Sequence, residues 1–144
     1  MENIRNTRRA VCIIANNLCK EGLSKSAAFV KAWQTVKGHN FRAAGVTADR
    51  GQEKLSTLSR FNANDLQIAF KREPDNKHDS NAIQLFVKIK SLNKYCQLGY
   101  VPHNLAVRIA PVMDKGIKIK GTVCGVIGGY GRKENYGLLA ALAI

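Results

Sequence analysis

The spacing of apolar residues changes at Gly38. Before it, the period is helical. Val11, Ile14, Ala15 and Leu18 fall on one face of a helix over residues 4 to 20, and Gly22 stands where a C-terminal cap is expected. Ser24 is placed to cap a second helix carrying Ala27, Ala28, Val30, Ala32, Trp33 and Val36, which Gly38 closes. Two short helices joined by four residues make a hairpin. Neither can bury its stripe alone, so Leu18, Phe29 and Trp33 are expected to pack on one another and on the rest of the chain. Trp33 reads as a core residue before it reads as a platform for a base.

After Gly38 the runs are rich in strand formers: Phe41 to Thr47, Leu66 to Lys71, Ala82 to Ile89, Cys96 to Val101, Ile117 to Val126 and Tyr136 to Ile144. Residues 117 to 123 alternate apolar with polar, as in a strand wet on one face, whereas 138 to 144 are apolar throughout and read as a central strand. One helix interrupts the series, from Pro102 through Leu105, Ala106 and Ile109 to Lys115, with Pro111 predicting a kink or a restart. Six short strands with one helix inserted predict a mainly β, α+β fold: a small closed or nearly closed barrel over residues 39–144, preceded by the helical hairpin of residues 1–38.

Composition sharpens this picture mainly through charge. The 144 residues hold 23 Lys and Arg against 10 Asp and Glu, a formal +13 that packing does not require and that suits a polyanion, nucleic acid first. No apolar run is long enough to span a bilayer, and residues 11 to 14 are too short a core for a secretory signal. Cys12, Cys19, Cys96 and Cys124 are too scattered for a disulfide scaffold or zinc knuckle; they read as buried, reduced thiols in a cytoplasmic protein, at the nucleoid if the source is bacterial.

The chemistry concentrates in a polar loop, Lys71-Arg72-Glu73-Pro74-Asp75-Asn76-Lys77-His78-Asp79-Ser80-Asn81, which runs straight into an apolar strand at Ala82-Ile83. With Ala44-Gly45-Val46 upstream, and Leu98-Gly99-Tyr100-Val101-Pro102 and Asp114-Lys115-Gly116 downstream, this loop resembles the HIRAN domain over about residues 41 to 144. The resemblance implies an OB-like barrel and a module that binds single-stranded DNA at its 3′ end. Such domains stand alone in bacterial and phage proteins or are fused to helicase-type ATPases. The family's end-binding pocket sets an aromatic residue before an aspartate; the matching positions here are His78 and Asp79, with Lys77 where the family usually has Pro. Tyr100 and His103 match the region where the family places a basic phosphate contact, and Arg50 lies in the loop after the first strand.

Each of these residues also has a plainer reading. Asp79 can be a turn residue bonding the backbone two positions on; Asn76 and Asn81 can organise the loop; Arg72 can pair with Glu73 or Asp75 instead of a phosphate; Tyr100 can be a half-buried strand residue. Lys118, Lys120, Arg132 and Lys133 can form a solvated face or touch the backbone of a strand. The candidate nucleic-acid contacts are therefore Arg50, Arg72, Asn76, Lys77, His78, Asp79, Tyr100 and His103, with no catalytic residue, metal or cofactor. A nuclease using Glu73, Asp75 and Asp79 is the first rival, though no Asp or Glu is followed two residues later by Lys in the thirty residues after Pro74-Asp75. The second rival is an interaction module recruiting a helicase or nuclease. A calcium loop would need Glu where Phe86 stands, and no phosphate-binding loop motif occurs, so any ATPase is a partner. The expected partner is single-stranded DNA, with RNA ends as a further substrate of the same pocket chemistry, and no membrane.

Overall fold

The computed structural model of the chain describes residues 2–46, 50–128 and 135–144. Helix α1 (Glu2–Lys20) and helix α2 (Lys25–Lys37) form the expected hairpin. Gly22, at φ +108°, lets the Leu23 N–H turn back onto the Leu18 carbonyl (3.1 Å), and the Ser24 hydroxyl accepts from the Ala27 N–H (3.3 Å) to start α2. What lies between the helices differs from expectation. The buried stripe of α2 consists of Ala28, Ala32, Thr35 and Val36, and Leu18 is buried, but Phe29 and Trp33 are exposed. The reason is angular: small residues at 28 and 32 let α2 approach closely, and the aromatic residues, one position further round the helix, are turned outward.

Six strands follow: β1 (His39–Arg42), β2 (Leu66–Arg72), β3 (Ile83–Ile89), β4 (Lys94–Tyr100), β5 (Lys120–Ile127) and β6 (Gly137–Ala143). They form two antiparallel three-stranded sheets, ordered β1-β6-β5 and β2-β3-β4. The wholly apolar β6 is central, as its composition requires, and β3 buries Ile83, Leu85 and Val87 at alternate positions. The inner faces share one core that includes Phe41, Ile68, Leu85, Leu138 and Leu142, with the Phe41 and Phe70 rings 6.3 Å apart. β5 passes close over β2 at Gly121, where a Cβ would come within 2.2 Å of the Ile68 side chain. On the other side, Ala44 and Tyr100 exchange two backbone hydrogen bonds (2.8 and 2.9 Å) that tie the chain leaving β1 to β4.

Several boundaries move. β1 ends at Arg42, because the next residues turn away to make the Ala44 bridge, and Thr47 lies outside the described residues. β5 starts at Lys120, since Gly116 (φ +81°) turns the chain and Ile117 is drawn into the hairpin's apolar cluster. A short helix absent from the sequence reading, α3 (Gly51–Leu58), packs Leu55 and Leu58 into the core. Its Gln52 clamps the sheet, donating to the Tyr136 carbonyl (3.0 Å) and accepting from the Tyr136 N–H (2.7 Å). Helix α4 (His103–Asp114) continues past Pro111 without restarting, and Pro102 is its N-cap instead of its first residue.

α4 faces two ways. Leu105, Ala106, Ile109 and Ala110 enter the core between the sheets, while Val112, with Ile117, joins Ala10, Val11, Ile14, Ala15 and Val36 of the hairpin. The chain's last residue pins the hairpin further: the Ile144 N–H donates to the Val36 carbonyl (3.1 Å), and the Thr7 hydroxyl donates to the Ile144 carbonyl (3.1 Å). The thiols are unpaired but not uniformly buried as expected. Cys12 and Cys124 are exposed, because each lies on the outer face of its element, and Cys19 and Cys96 are intermediate. No helix among the described residues is long and apolar enough to cross a membrane.

Candidate nucleic-acid interface

The polar loop is built from its own side chains. β2 and β3 close it with the Glu73 N–H donating to the Ala82 carbonyl (2.9 Å). Inside, the Asn76 side-chain oxygen accepts from the N–H groups of His78 (2.9 Å) and Asp79 (3.0 Å), and its amide donates to Glu73 (3.1 Å). One Asp79 oxygen accepts from the Asn81 N–H (2.9 Å), which is the turn role foreseen for it. Its other oxygen meets the Nδ1 of His103, at the first position of α4, at 2.8 Å. The loop and the start of α4 thus meet at a single carboxylate, with His103 72% exposed and Asp79 24% exposed.

Arg72 anchors the assembly from below. Its guanidinium donates to Asp114 at the end of α4 (2.9 and 3.3 Å) and to the carbonyls of Ala82 (2.9 Å) and Ser80 (3.1 Å). Arg72 therefore pairs, though with Asp114, 42 positions away in sequence, and a phosphate contact there has to share or displace that pair. Tyr100 is half-buried on β4 beside the loop; hydrogen bonding to Glu73 first, and burial second, push its phenol up from the ordinary value. Lys77 and His78 are exposed at the loop's tip. Arg50 is exposed at the N-cap of α3 in a left-handed conformation (φ +63°), and among the described residues no hydrogen bond or ion pair joins it to the loop. Lys118 and Lys120 are exposed, while Arg132 and Lys133 lie outside the described residues.

The structure thus brings Arg72, Asn76, Asp79, Tyr100 and His103 together and leaves Lys77 and His78 on the rim. Nothing in the local spacing of Asp114 points to its pairing with Arg72, 42 positions away. The acidic residues do not converge, since Glu73 turns to Asn76 and Tyr100 and Asp79 to His103. No three His, Cys, Asp or Glu among the described residues are grouped to hold a metal ion.

A family model, the HIRAN domain, matches residues 43–132. The chain belongs to the HIRAN family. HIRAN domains are DNA-binding modules that are not catalytic by themselves. Two solved structures are similar to this HIRAN chain. The HIRAN domain of human HLTF is 19% identical, with 74% of this chain and 73% of that one covered and a TM-score of 0.44. A protein from Lactobacillus plantarum is 19% identical, with 74% of this chain and 99% of that one covered and a TM-score of 0.45. No curated protein sequence matches the chain.

The Asp79 carboxyl is held below its ordinary value of 3.8, first by the His103 hydrogen bond and then by the Asn81 N–H. A depressed folded value means that the unfolded chain binds the proton more readily in the window below 3.8, so stability falls there as pH falls. Asp79→Asn should lower thermal stability above about pH 5, where the ionised carboxylate makes its contribution, and flatten the acid limb below about pH 4, so that the two proteins converge as pH falls. An identical acid limb in the variant would show that the carboxylate contributes nothing to folding.

Proposed function

We propose that this HIRAN domain binds single-stranded DNA without catalysis and reads the strand's 3′-hydroxyl end at Asp79. The observation that carries the reading is the fixed carboxylate: Asp79 is held at both oxygens, by Asn81 and His103, on a partly open rim beside the exposed Lys77 and His78. A carboxylate oxygen has two lone-pair sites, so each can take one more donor, and a terminal hydroxyl is such a donor. His78 offers a ring to the last base, Tyr100 a second aromatic surface, and Lys77 and His103 the contacts to phosphate. Arg72, Asn76 and Asp114 hold the loop in place, with Arg50 a more distant backbone contact. Single-stranded RNA ends are a second substrate of the same chemistry, and a helicase or nuclease acting in repair, replication or mobile-element maintenance is the partner that such an end-binder suits.

The test is a competition among oligonucleotides that differ only at the 3′ end. A strand ending in hydroxyl should outcompete one ending in phosphate; equal competition would reduce Asp79 to a turn residue. Binding should also be strongly salt-dependent. If about three to five phosphates are neutralised, the logarithm of affinity should fall with the logarithm of salt at a slope of roughly −2 to −3.5. A flat dependence would separate the +13 charge from the binding.

A further inference from the structure

The helical hairpin lies outside the family match, and its outer face is unlike that of an ordinary surface helix. Phe29 and Trp33, one turn apart on α2, are 40% and 38% exposed, and with Val30, Gln34 and Lys37 they line a shallow groove. The Lys37 ammonium lies 5.7 Å from the centre of the Trp33 ring. The stretch around it carries one sign of charge in sequence: from Gly22 to Ala48 there is no Asp or Glu, while Lys25, Lys31, Lys37 and Arg42 all fall within it. Thr7 of α1 and Val36 of α2 both bond Ile144, which sets the exposed Arg5, Arg8 and Arg9 at the same end of the hairpin as Trp33 and Lys37.

We infer that this face is a second single-strand-binding surface, with Phe29 and Trp33 stacking unpaired bases and the Lys and Arg side chains meeting the backbone. It rests on the nucleic-acid reading above and extends it to a longer strand. Charge decides the occupant. Another copy of the chain brings its own +13, so like charges oppose self-association, whereas a polyanion is attracted. Exposed rings decide its form, because bases in a duplex are already stacked on each other, while those of a single strand are free to stack on an aromatic side chain. A base settling on Trp33 takes the place of the Lys37 ammonium, which is then free to turn to the neighbouring phosphate. α4 gives the spacing: its first residue, His103, touches Asp79, and Val112 near its other end packs on the hairpin, a separation of about 14 Å at the helical rise.

Trp33 is the chain's only tryptophan, so intrinsic fluorescence reads this face directly. Titrating the full chain with a thymidine homopolymer should quench Trp33 strongly, whereas a blunt duplex of equal length and inorganic polyphosphate should not. Phe29→Ala should weaken binding of the long single strand by about fivefold or more while the preference for a 3′-hydroxyl persists. Ala28 and Ala32, not Phe29, pack the hairpin, so this variant keeps the fold. If fluorescence anisotropy shows a labelled strand binding while Trp33 emission is unchanged and Phe29→Ala binds as wild type, the inference is overturned and the end-binding reading stands. Absence of any strand binding overturns both. Equal quenching by polyphosphate leaves charge alone and overturns the stacking role. A concentration-dependent emission change with a doubled mass in sedimentation, without nucleic acid, assigns the face to a second copy instead.

Discussion

Gly99→Ala should cost the domain roughly 2 to 4 kcal/mol in a denaturant titration, a large share of a small domain's stability. A Cβ on residue 99 would lie 2.3 Å from the Ala44 carbonyl oxygen and 3.2 Å from the Val46 side chain. That carbonyl is not free to move away: it accepts the Tyr100 N–H at 2.9 Å, and the Ala44 N–H donates back to Tyr100 at 2.8 Å. Relief of the clash therefore opens the bridge, adding roughly 0.5 to 1.5 kcal/mol for each backbone hydrogen bond lost to the cost of overpacking. Tyr100 would shift with it, so end discrimination should weaken in parallel. Leu92→Ala, at a 65% exposed position, is the matched control and should stay within about 0.5 kcal/mol of wild type. A loss below about 1 kcal/mol at Gly99 would mean that the bridge is easily remade and does not fix the sheets.

This glycine shows why the fold was legible where it was. Leu98-Gly99-Tyr100 and Ala44-Gly45-Val46 are far apart in sequence, and periodicity alone makes them two strand fragments; the family pattern contains both without pairing them, and the geometry shows the pairing and its reason, a close backbone approach. The apolar run 138–144 announced a central strand because no other environment takes it. α3 escaped because eight residues with two buried leucines hardly differ from a turn, and its anchoring through Gln52 to Tyr136 spans 84 positions. At the site, the Asn76 and Asp79 turns were local and readable, whereas the Asp79–His103 and Arg72–Asp114 pairs depend on where α4 docks. Phe29 and Trp33 misled because aromatic residues near a buried stripe usually belong to it, and the tight Ala28–Ala32 contact excluded them.

The preference for a 3′-hydroxyl over a 3′-phosphate should fall sharply in Asp79→Asn, by up to about ten- to a hundredfold where water is excluded from the bond. An ionised carboxylate accepts a hydrogen bond from the hydroxyl and repels a terminal phosphate; both effects favour the same end. Asparagine keeps the shape and one acceptor but removes the charge, so overall affinity for single strands should change less than the preference does. It also leaves the Asn81 turn with a carbonyl to accept from, while the bond to His103 loses its charged partner. Asp79→Ala removes the turn acceptor as well and should lower affinity and preference together. His103→Ala separates the two jobs of the carboxylate. If His103 serves mainly to orient Asp79, its loss should blunt the preference while Asp79 is still ionised at neutral pH; if it serves mainly as a phosphate contact, affinity for every end should fall alike. An unchanged preference in folded Asp79→Asn would leave the carboxylate as a turn acceptor and give the end reading to the rim residues Lys77 and His78.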